Sequence, residues 1–440
     1  MNTENYEPPM NLPENSKDLE SGTKQGTEYR KGMLRGIIGT LALLGIVILA
    51  AGITLWIRIG QEKADKGEGK SGSGQISEQT RQSISKKEVQ GKAGELADLI
   101  DQYYYEDIDE EKVVEGMYAG LVSGLGDKYS AYFSAEEYKS LNASTTGSYY
   151  GIGAVLSQNP DTKAVTILHV YPGSPAEEAG VKDGDIIVKV EDIPGDSMEL
   201  SELVKHIKGE EETSVHLQLL REGESDYQEF DVFRRQIEVP TVEHQMLEGS
   251  TGLIQISEFT DNTPEQFDAA IKELQNQGMK SMLIDLRNNP GGVLPATCTM
   301  LDELLPKGTV VYTVDKYGKR MDYTSDENCL TIPIAVLINE NSASASEIFA
   351  GAIKDYEYGT LIGTTSYGKG IVQSIIPLED GSAVKLTMAK YYTPKGNYIH
   401  EVGIEPDITL EYEYQGEDEM YNPMHDNQVL KGLEVLNSQE

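Results

Sequence analysis

The chain has 440 residues, of which 38% are apolar and 25% charged, an ordinary globular balance at a length that suggests roughly three domains. Acidic residues outnumber basic ones 73 to 37, for a formal net charge of −36; such a field repels phosphate backbones and argues against a nucleic-acid binder. Two cysteines, Cys298 and Cys329, permit at most one internal disulfide and are too few for a zinc cluster or a disulfide-stapled miniprotein.

Residues 1–35 are polar and read as a disordered cytoplasmic leader. Residues 36–57 run for 22 positions without a charge, which at about 1.5 Å per residue covers the bilayer hydrocarbon. That is longer than the roughly 7–15 apolar residues of a cleaved signal peptide, so the segment reads as a transmembrane signal anchor, with a buried soluble helix as the alternative. Lys24, Arg30, Lys31 and Arg35 before it nearly balance Arg58, Lys63, Lys66 and Lys70 after it, so charge alone does not orient it. The short leader and long trailing body favour a body outside the cytoplasm. Residues 58–90 read as a flexible stalk rich in Gly, Ser and Lys. Gly69-Lys70-Ser71 resembles the end of a phosphate loop, but Ala64 stands where that loop needs its first glycine.

Residues 91–146 show helical spacing, with Leu96, Leu99, Ile100 and Tyr103, then Val113, Val114, Met117 and Leu121, before Gly124 and Gly126 break the pattern. Residues 147–235 change character: short strands are expected at 153–156, 164–170, 185–190 and 215–220, with a helix over 199–208, as in a small β-rich module. Residues 236–407 alternate strand and helix. Strands are expected at 252–259, 281–287 and 332–339, each followed by a helix (263–278, 294–305 and 345–356), which predicts α/β layers. Residues 408–440 carry eight acids and one lysine and end on a helical stretch.

Neither HExxH nor GxSxG occurs, and the six histidines are scattered, so no metal or Ser–His pattern stands out. Three elements can carry chemistry instead. The first is the apolar strand that runs through Asn341-Ser-Ala-Ser-Ala-Ser346 into a helix. A serine there meets free amides and the favourable end of a helix dipole, although Ser344 with Glu347 also reads as a capping box. The second is Asn288-Asn-Pro-Gly-Gly292 between a strand and a helix, which is either an anion site or a tight glycine turn. Asp285 and Arg287, on one strand face, can pair or position that loop. The third is Gly368-Lys369-Gly370, with Gln373 four residues on, which on a strand shares the lysine's face; the bland reading is an exposed hairpin lysine.

Taken together, the motifs Asp285-Leu-Arg-Asn-Asn-Pro-Gly-Gly292, Ser342-Ala-Ser-Ala-Ser-Glu-Ile348 and Tyr367-Gly-Lys-Gly-Ile-Val-Gln373 resemble the carboxyl-terminal processing peptidases of family S41, serine endopeptidases related to the tail-specific protease. Weaker matches are Gly126-Asp-Lys-Tyr-Ser130, Gly151-Ile-Gly153, Gly173-Ser-Pro-Ala176 and Gly403-Ile-Glu-Pro-Asp407, so the resemblance covers about residues 91–436. It implies an α/β fold, with a ClpP/crotonase-like serine protease core at 236–407 and an inserted PDZ domain at 147–235, to which the N-terminal helical segment and the one N-terminal transmembrane helix read above are added.

By this resemblance Ser344 is the nucleophile, with Ser342 and Ser346 as the rivals if the motif is shifted by two. Lys369 is the general base and Gln373 orients it. The amide of Ala345 and that of Gly291 or Gly292 form the oxyanion hole. Tyr150, Gly151, Ile152 and Gly153 form the loop that takes a peptide's free C-terminal carboxylate, with the peptide added as a strand beside residues 154–156. The implied partners are protein or peptide substrates with free C-termini and the membrane. Self-association as a homodimer through residues 91–121 and 428–436 is a further expectation. No metal or cofactor is implied, since the base is an amine. A lysine is a base near neutral pH only if its pKa falls from about 10.4 to roughly 7–8, which burial among apolar strands can achieve. The alternatives from other classes are a non-catalytic PDZ scaffold, with Ser344 a simple cap, and a crotonase-type acyl-CoA enzyme.

Overall fold

The computed structural model describes residues 84–416 and 421–438. The leader, the apolar segment 36–57 and most of the stalk lie outside the described residues. No helix among the described residues is long and apolar enough to cross a membrane.

Helix α1 (Lys86–Tyr103) begins within the region expected as stalk, because the Ser85 side chain caps it by accepting from the Glu88 amide. Helix α2 (Glu110–Ser123) starts in the same way at Asp109, and neither helix buries a residue. Strand β1 (Ala131–Phe133) follows. Helix α3 (Ala135–Thr146) opens on the Ser134/Glu137 capping box and closes on Gly147 in the left-handed region.

The β-rich module is built from β2 (Ser148–Gly151), β3 (Ala154–Gln158), β4 (Val165–Val170), α4 (Pro175–Ala179), β5 (Ile186–Val190), β6 (Ile193–Pro194), α5 (Leu200–Ile207), β7 (Ser214–Leu220), β8 (Gln228–Phe233) and β9 (Arg235–Glu238). Its sheet runs β3-β4-β5-β7-β8, with β6 on β5, and β3 lies at the edge. Alternate residues of β7, Val215, Leu217 and Leu219, point into a core shared with Val165, Ile167 and Leu203. Strands β2 and β9 pair only with each other and form the neck between this module and the rest.

The larger unit comprises β10 (Val242–Met246), β11 (Thr251–Ile256), α6 (Thr263–Asn276), β12 (Ser281–Asp285), α7 (Leu294–Leu304), β13 (Gly308–Asp315), β14 (Arg320–Ser325), β15 (Ile334–Ile338), α8 (Ala345–Asp355), β16 (Thr360–Gly363), β17 (Ile371–Pro377), β18 (Ala383–Tyr392), β19 (Ile408–Thr409) and α9 (Asn427–Asn437). One sheet runs β10-β11-β12-β15-β16-β19, parallel from β11 to β19. Every residue of β12 and β15 is buried, as a parallel strand covered on both faces requires. Ile254, Ile284 and Val336 face the core that holds Phe267, Leu301 and Phe349 of α6, α7 and α8. Leu253, Leu283 and Leu337 face Val429, Leu433 and Leu436 of α9, so the acidic C-terminal region contributes a strand and a core helix. A second sheet runs β1-β18-β13-β14, with β17 also on β18. The fold is thus mixed α/β with a small β-rich module, as expected. Cys298 and Cys329 are free thiols.

Because β12 and β15 are parallel neighbours, the loops leaving their C-terminal ends emerge on one side of the sheet. Those loops are the Asn-Asn-Pro-Gly-Gly and Ser-Ala-Ser-Ala-Ser segments. An open parallel sheet places its chemistry at this edge.

Candidate active site

Helix α8 leaves the turn after β15 at Ser344, whose φ of 59° and ψ of −110° lie outside the space an ordinary residue occupies. The three serines of the turn do different work. Ser342 Oγ donates to the Leu286 carbonyl at 2.8 Å and Ser346 Oγ to the Asn289 carbonyl at 2.9 Å, so both stitch the turn to the neighbouring loop. Ser344 Oγ is buried and has no hydrogen-bond partner. The capping reading is therefore only half realised: Glu347 accepts from the Ser344 amide at 2.8 Å, while the serine hydroxyl stays free.

The Asn288–Gly292 loop is held rigidly against that turn. Fully buried Asn289 donates from Nδ2 to the Ile256 carbonyl and accepts the Gly291 amide on Oδ1, both at 2.8 Å. The Ala343 amide donates to the Asn289 carbonyl at 3.0 Å. Gly291 has a φ of 104°, and a Cβ built there would lie 2.9 Å from both the Ala345 nitrogen and the Ser344 Cβ, so only glycine allows this approach. A Cβ on Gly292 would fall 1.9 Å from the Phe259 carbonyl oxygen. Among the described residues, the Gly291 amide is taken by Asn289, whereas the amides of Gly292 and Ala345 donate to no protein group.

Asp285 and Arg287 pair as the sequence suggested, through Nε to Oδ1 at 2.9 Å and Nη2 to Oδ2 at 2.6 Å. Arg287 also reaches Asp426, at the start of α9, at 2.8 Å. Burial works against this guanidinium's charge, but Asp285 and Asp426 prevail and hold its pKa above the ordinary range.

Lys369 reaches the site through the carboxylate of Glu347. That group accepts from the Lys369 amide at 2.8 Å on the same oxygen, Oε2, that accepts from the Ser344 amide. Its Oε1 accepts from the Gly368 amide and from Ser366 Oγ, each at 2.6 Å. The backbones of residues 344 and 369 thus sit within two hydrogen-bond lengths of one another. Lys369 is 2% exposed. Burial, aided by the neighbouring Lys385 and opposed by Glu347 and Asp127, lowers its pKa to about 7. Glycine at 370 is required because a Cβ there would lie 2.7 Å from the His400 nitrogen.

Lys369 precedes β17 rather than lying on it, so even spacing along one strand does not by itself set it on the face of Gln373; the register shift opposite Val372 and Gln373 puts the extra residue, Met388, in the partner strand β18. Buried Gln373 donates from Nε2 to Thr387 Oγ1 at 3.3 Å, and no hydrogen bond joins it to Lys369 among the described residues. Ser344 and Lys369 are likewise not hydrogen-bonded to each other.

In the small module, Gly153 has a φ of 78°, and the carbonyls of Ile152 and Gly153 accept from the Ala176 and Tyr171 amides at 2.9 and 3.0 Å. Among the described residues, the amides of Ile152 and Gly153 donate to no group. Strand β3 leads away from this loop with one edge open, and α5 is tied to its far end where Gln158 Oε1 accepts the Leu200 amide at 3.0 Å. Tyr150 is exposed, whereas Ile152 is buried in the module core.

Sequence reasoning passed over Glu347 as a connector, Asn289 as a loop anchor, and the segment around Asp127, which packs on the lysine. The run Gly126-Asp-Lys-Tyr-Ser130 was the available signal for the last.

The chain is similar to known proteins over most of its length. Residues 250–410 match the model of peptidase family S41, residues 166–221 a PDZ domain, and residues 46–137 the N-terminal domain of the activating protease CtpB. A carboxyl-terminal-processing protease of Synechocystis is 35% identical over 321 residues, covering 72% of this chain and 75% of the relative. A probable CtpA-like serine protease of Staphylococcus aureus is 36% identical over 318 residues, covering 71% of this chain and 63% of the relative's length. Among solved structures, the photosystem II D1 C-terminal processing protease is 29% identical with a TM-score of 0.45, covering 80% of this chain and 92% of its own.

Proposed function

The chain belongs to the carboxyl-terminal-processing serine peptidases of family S41 and carries a PDZ domain, and from that premise we propose that it is an endopeptidase working through a Ser344–Lys369 dyad. The observation that carries this reading is the serine turn. Of three serines, only Ser344 has a free hydroxyl, it sits at a strained position before a helix, and one carboxylate ties its amide to that of a buried, weakly basic lysine.

The chemistry follows from these groups. Neutral Lys369 takes the hydroxyl proton as Ser344 Oγ bonds to the substrate's carbonyl carbon. The oxygen that gains charge is received by the free amides of Gly292 and Ala345 at the helix start, where the dipole adds to their effect. The lysine then gives its proton to the departing amine as the C–N bond breaks. Water, deprotonated by the same lysine, attacks the acyl-enzyme, and the lysine passes that proton to Ser344 Oγ as the ester C–O bond breaks and the acid product leaves. Gln373, being neutral, can hold the amine during turnover without stabilising its cation as a carboxylate would. Tyr150, Gly151, Ile152 and Gly153 present the PDZ loop to a free C-terminus, with β3 pairing the incoming strand. A contiguous path supports coupling between that module and the site: Asn262 Nδ2 donates to the Gly147 carbonyl at 3.1 Å beside the neck, and nearby Phe259 bridges Gly292.

The same reading includes a ClpP/crotonase-like core, anchoring by residues 36–57 with the catalytic body outside the cytoplasm, and a homodimer. The apolar residues Leu96, Leu99, Met117 and Leu121 of α1 and α2, all exposed, support self-association. The test is digestion of β-casein: the wild type cleaves it, and Ser344→Ala and Lys369→Ala do not. Full cleavage by either folded variant would remove the dyad. A scaffold role, with Ser344 a cap, is disfavoured by the unbonded hydroxyl.

A further inference from the structure

The segment between α2 and β1 lies some 240 positions before the catalytic lysine in sequence, yet it packs directly on it. Two attachments hold it there. Strand β1 adds to the edge of β18, with Ala131 opposite Lys385. Just before it, Asp127 Oδ2 accepts from Thr387 Oγ1 of β18 and from Ser130 Oγ, both at 2.6 Å, and Oδ1 accepts the Tyr129 amide at 3.0 Å. The Thr387 amide donates in turn to Ser130 Oγ at 3.1 Å. The loop so fixed sets the ring of Tyr129, itself 7% exposed, over Lys369 Nζ at 4.9 Å from the ring centroid. Lys128 Nζ lies 4.8 Å from the same ring's centroid and meets Tyr367 Oη at 3.4 Å. The Thr387 hydroxyl that anchors Asp127 is also the one to which Gln373 donates.

We propose that Tyr129 is a positioning residue for the dyad: its ring closes the lysine's pocket against water, and the Asp127–Thr387 hydrogen bond holds it in place. This deepens the Ser344–Lys369 reading and rests on it. An aromatic face attracts an ammonium ion, which taken alone favours the charged amine. The ring also keeps water from that amine; burial heads the influences that lower the pKa of Lys369, and loss of hydration moves a buried lysine by up to several units, more than the attraction of one ring returns. The other charged groups facing the amine are Lys385 on β18, Glu347 on α8, and Asp127 and Lys128 on the loop itself. The His400 ring lies 6.5 Å from that of Tyr129. The Lys369 pocket is therefore completed by the N-terminal region rather than by the α/β core alone.

The experiment compares the full chain in detergent micelles with Tyr129→Ala, Tyr129→Phe, Thr387→Val and Thr387→Ser. Two readouts are followed from pH 5 to 10 (roughly centred on the lysine): kcat/KM on β-casein, and titration of the Lys369 amine by competitive acetylation with acetic anhydride, read by mass spectrometry. Tyr129→Ala and Thr387→Val move the acid limb and the amine titration upward by about one unit, lowering kcat/KM at neutral pH about fivefold with recovery at alkaline pH. Tyr129→Phe and Thr387→Ser, which keep the ring and the hydroxyl, stay at the wild-type midpoint. If Tyr129→Ala does not fold, the threonine pair decides. Folded Tyr129→Ala or Thr387→Val with a wild-type midpoint in both readouts overturns the proposal. If the wild type fails to cleave β-casein, the peptidase reading falls, while the amine titration still reports whether the ring shields Lys369.

Discussion

A carboxylate that accepts four donors is a costly group to lose, and Glu347 is such a group. Burial raises its pKa, offset by the Ser366 hydroxyl and the amides of Lys369, Ser344 and Gly368. Glu347→Gln turns one acceptor oxygen into a donor facing other donors. At roughly 1–3 kcal/mol for each buried group left unpaired, the variant melts at lower temperature and loses β-casein cleavage. Gly291→Ala tests the loop at the same scale. Its Cβ would approach the Ala343 carbonyl oxygen to 2.7 Å at a positive φ, so activity falls strongly, as initial cleavage rates will show. The acid limb of the wild-type profile follows from the lysine. Its neutral, basic form predominates above a pKa of about 7, so kcat/KM rises with pH through that value. An acid limb near pH 4 would implicate a carboxylate base instead.

Among the elements, the decisive junction is that of β12 with α9. Arg287, at the end of β12, joins Asp285 to Asp426, whose Oδ1 also caps α9 by accepting the Gln428 and Val429 amides at 2.8 and 3.1 Å. Removing one partner of a buried ion pair strands the others and typically costs roughly 3–5 kcal/mol. Arg287→Ala therefore unfolds at markedly lower denaturant concentration. Arg287→Lys does not restore stability, because a single ammonium cannot reproduce the forked contact. Equilibrium urea melts followed by circular dichroism check both.

For the whole molecule, the question is how its parts meet. No residue of α1 or α2 is fully buried among the described residues, although Tyr118 of α2 packs against Tyr132 of β1; the apolar faces left exposed are costly unless a partner covers them. Sedimentation will show concentration-dependent association that is abolished by the double substitution Leu99→Glu and Met117→Glu. The PDZ loop makes a separate claim: a labelled peptide with a free C-terminus binds, and the same peptide amidated binds at least about tenfold more weakly, since the loop amides then face no charge. Equal anisotropy curves would remove the carboxylate reading.

Much of this molecule is legible in its sequence because strong local signals and global packing agree. The buried runs at 281–287 and 332–339 and the helix expected from residue 263 match the observed elements to within a few residues, and three ordered motifs identify the family. What the linear chain concealed depends on approach through space. Position 344 was readable as a cap until the fold left its hydroxyl unbonded. The even spacing of Lys369 and Gln373 does not by itself align them, because Lys369 lies before β17 rather than on it. Glu347 bridges the serine turn to the segment 366–369 only because parallel β15 and β16 deliver both to one edge, and Tyr129 covers the lysine only because β1 docks on β18. Residue type and order thus determined the elements and the candidate groups. Burial, the force that makes a lysine basic at neutral pH, belongs to no residue by itself and was decided by the tertiary structure alone.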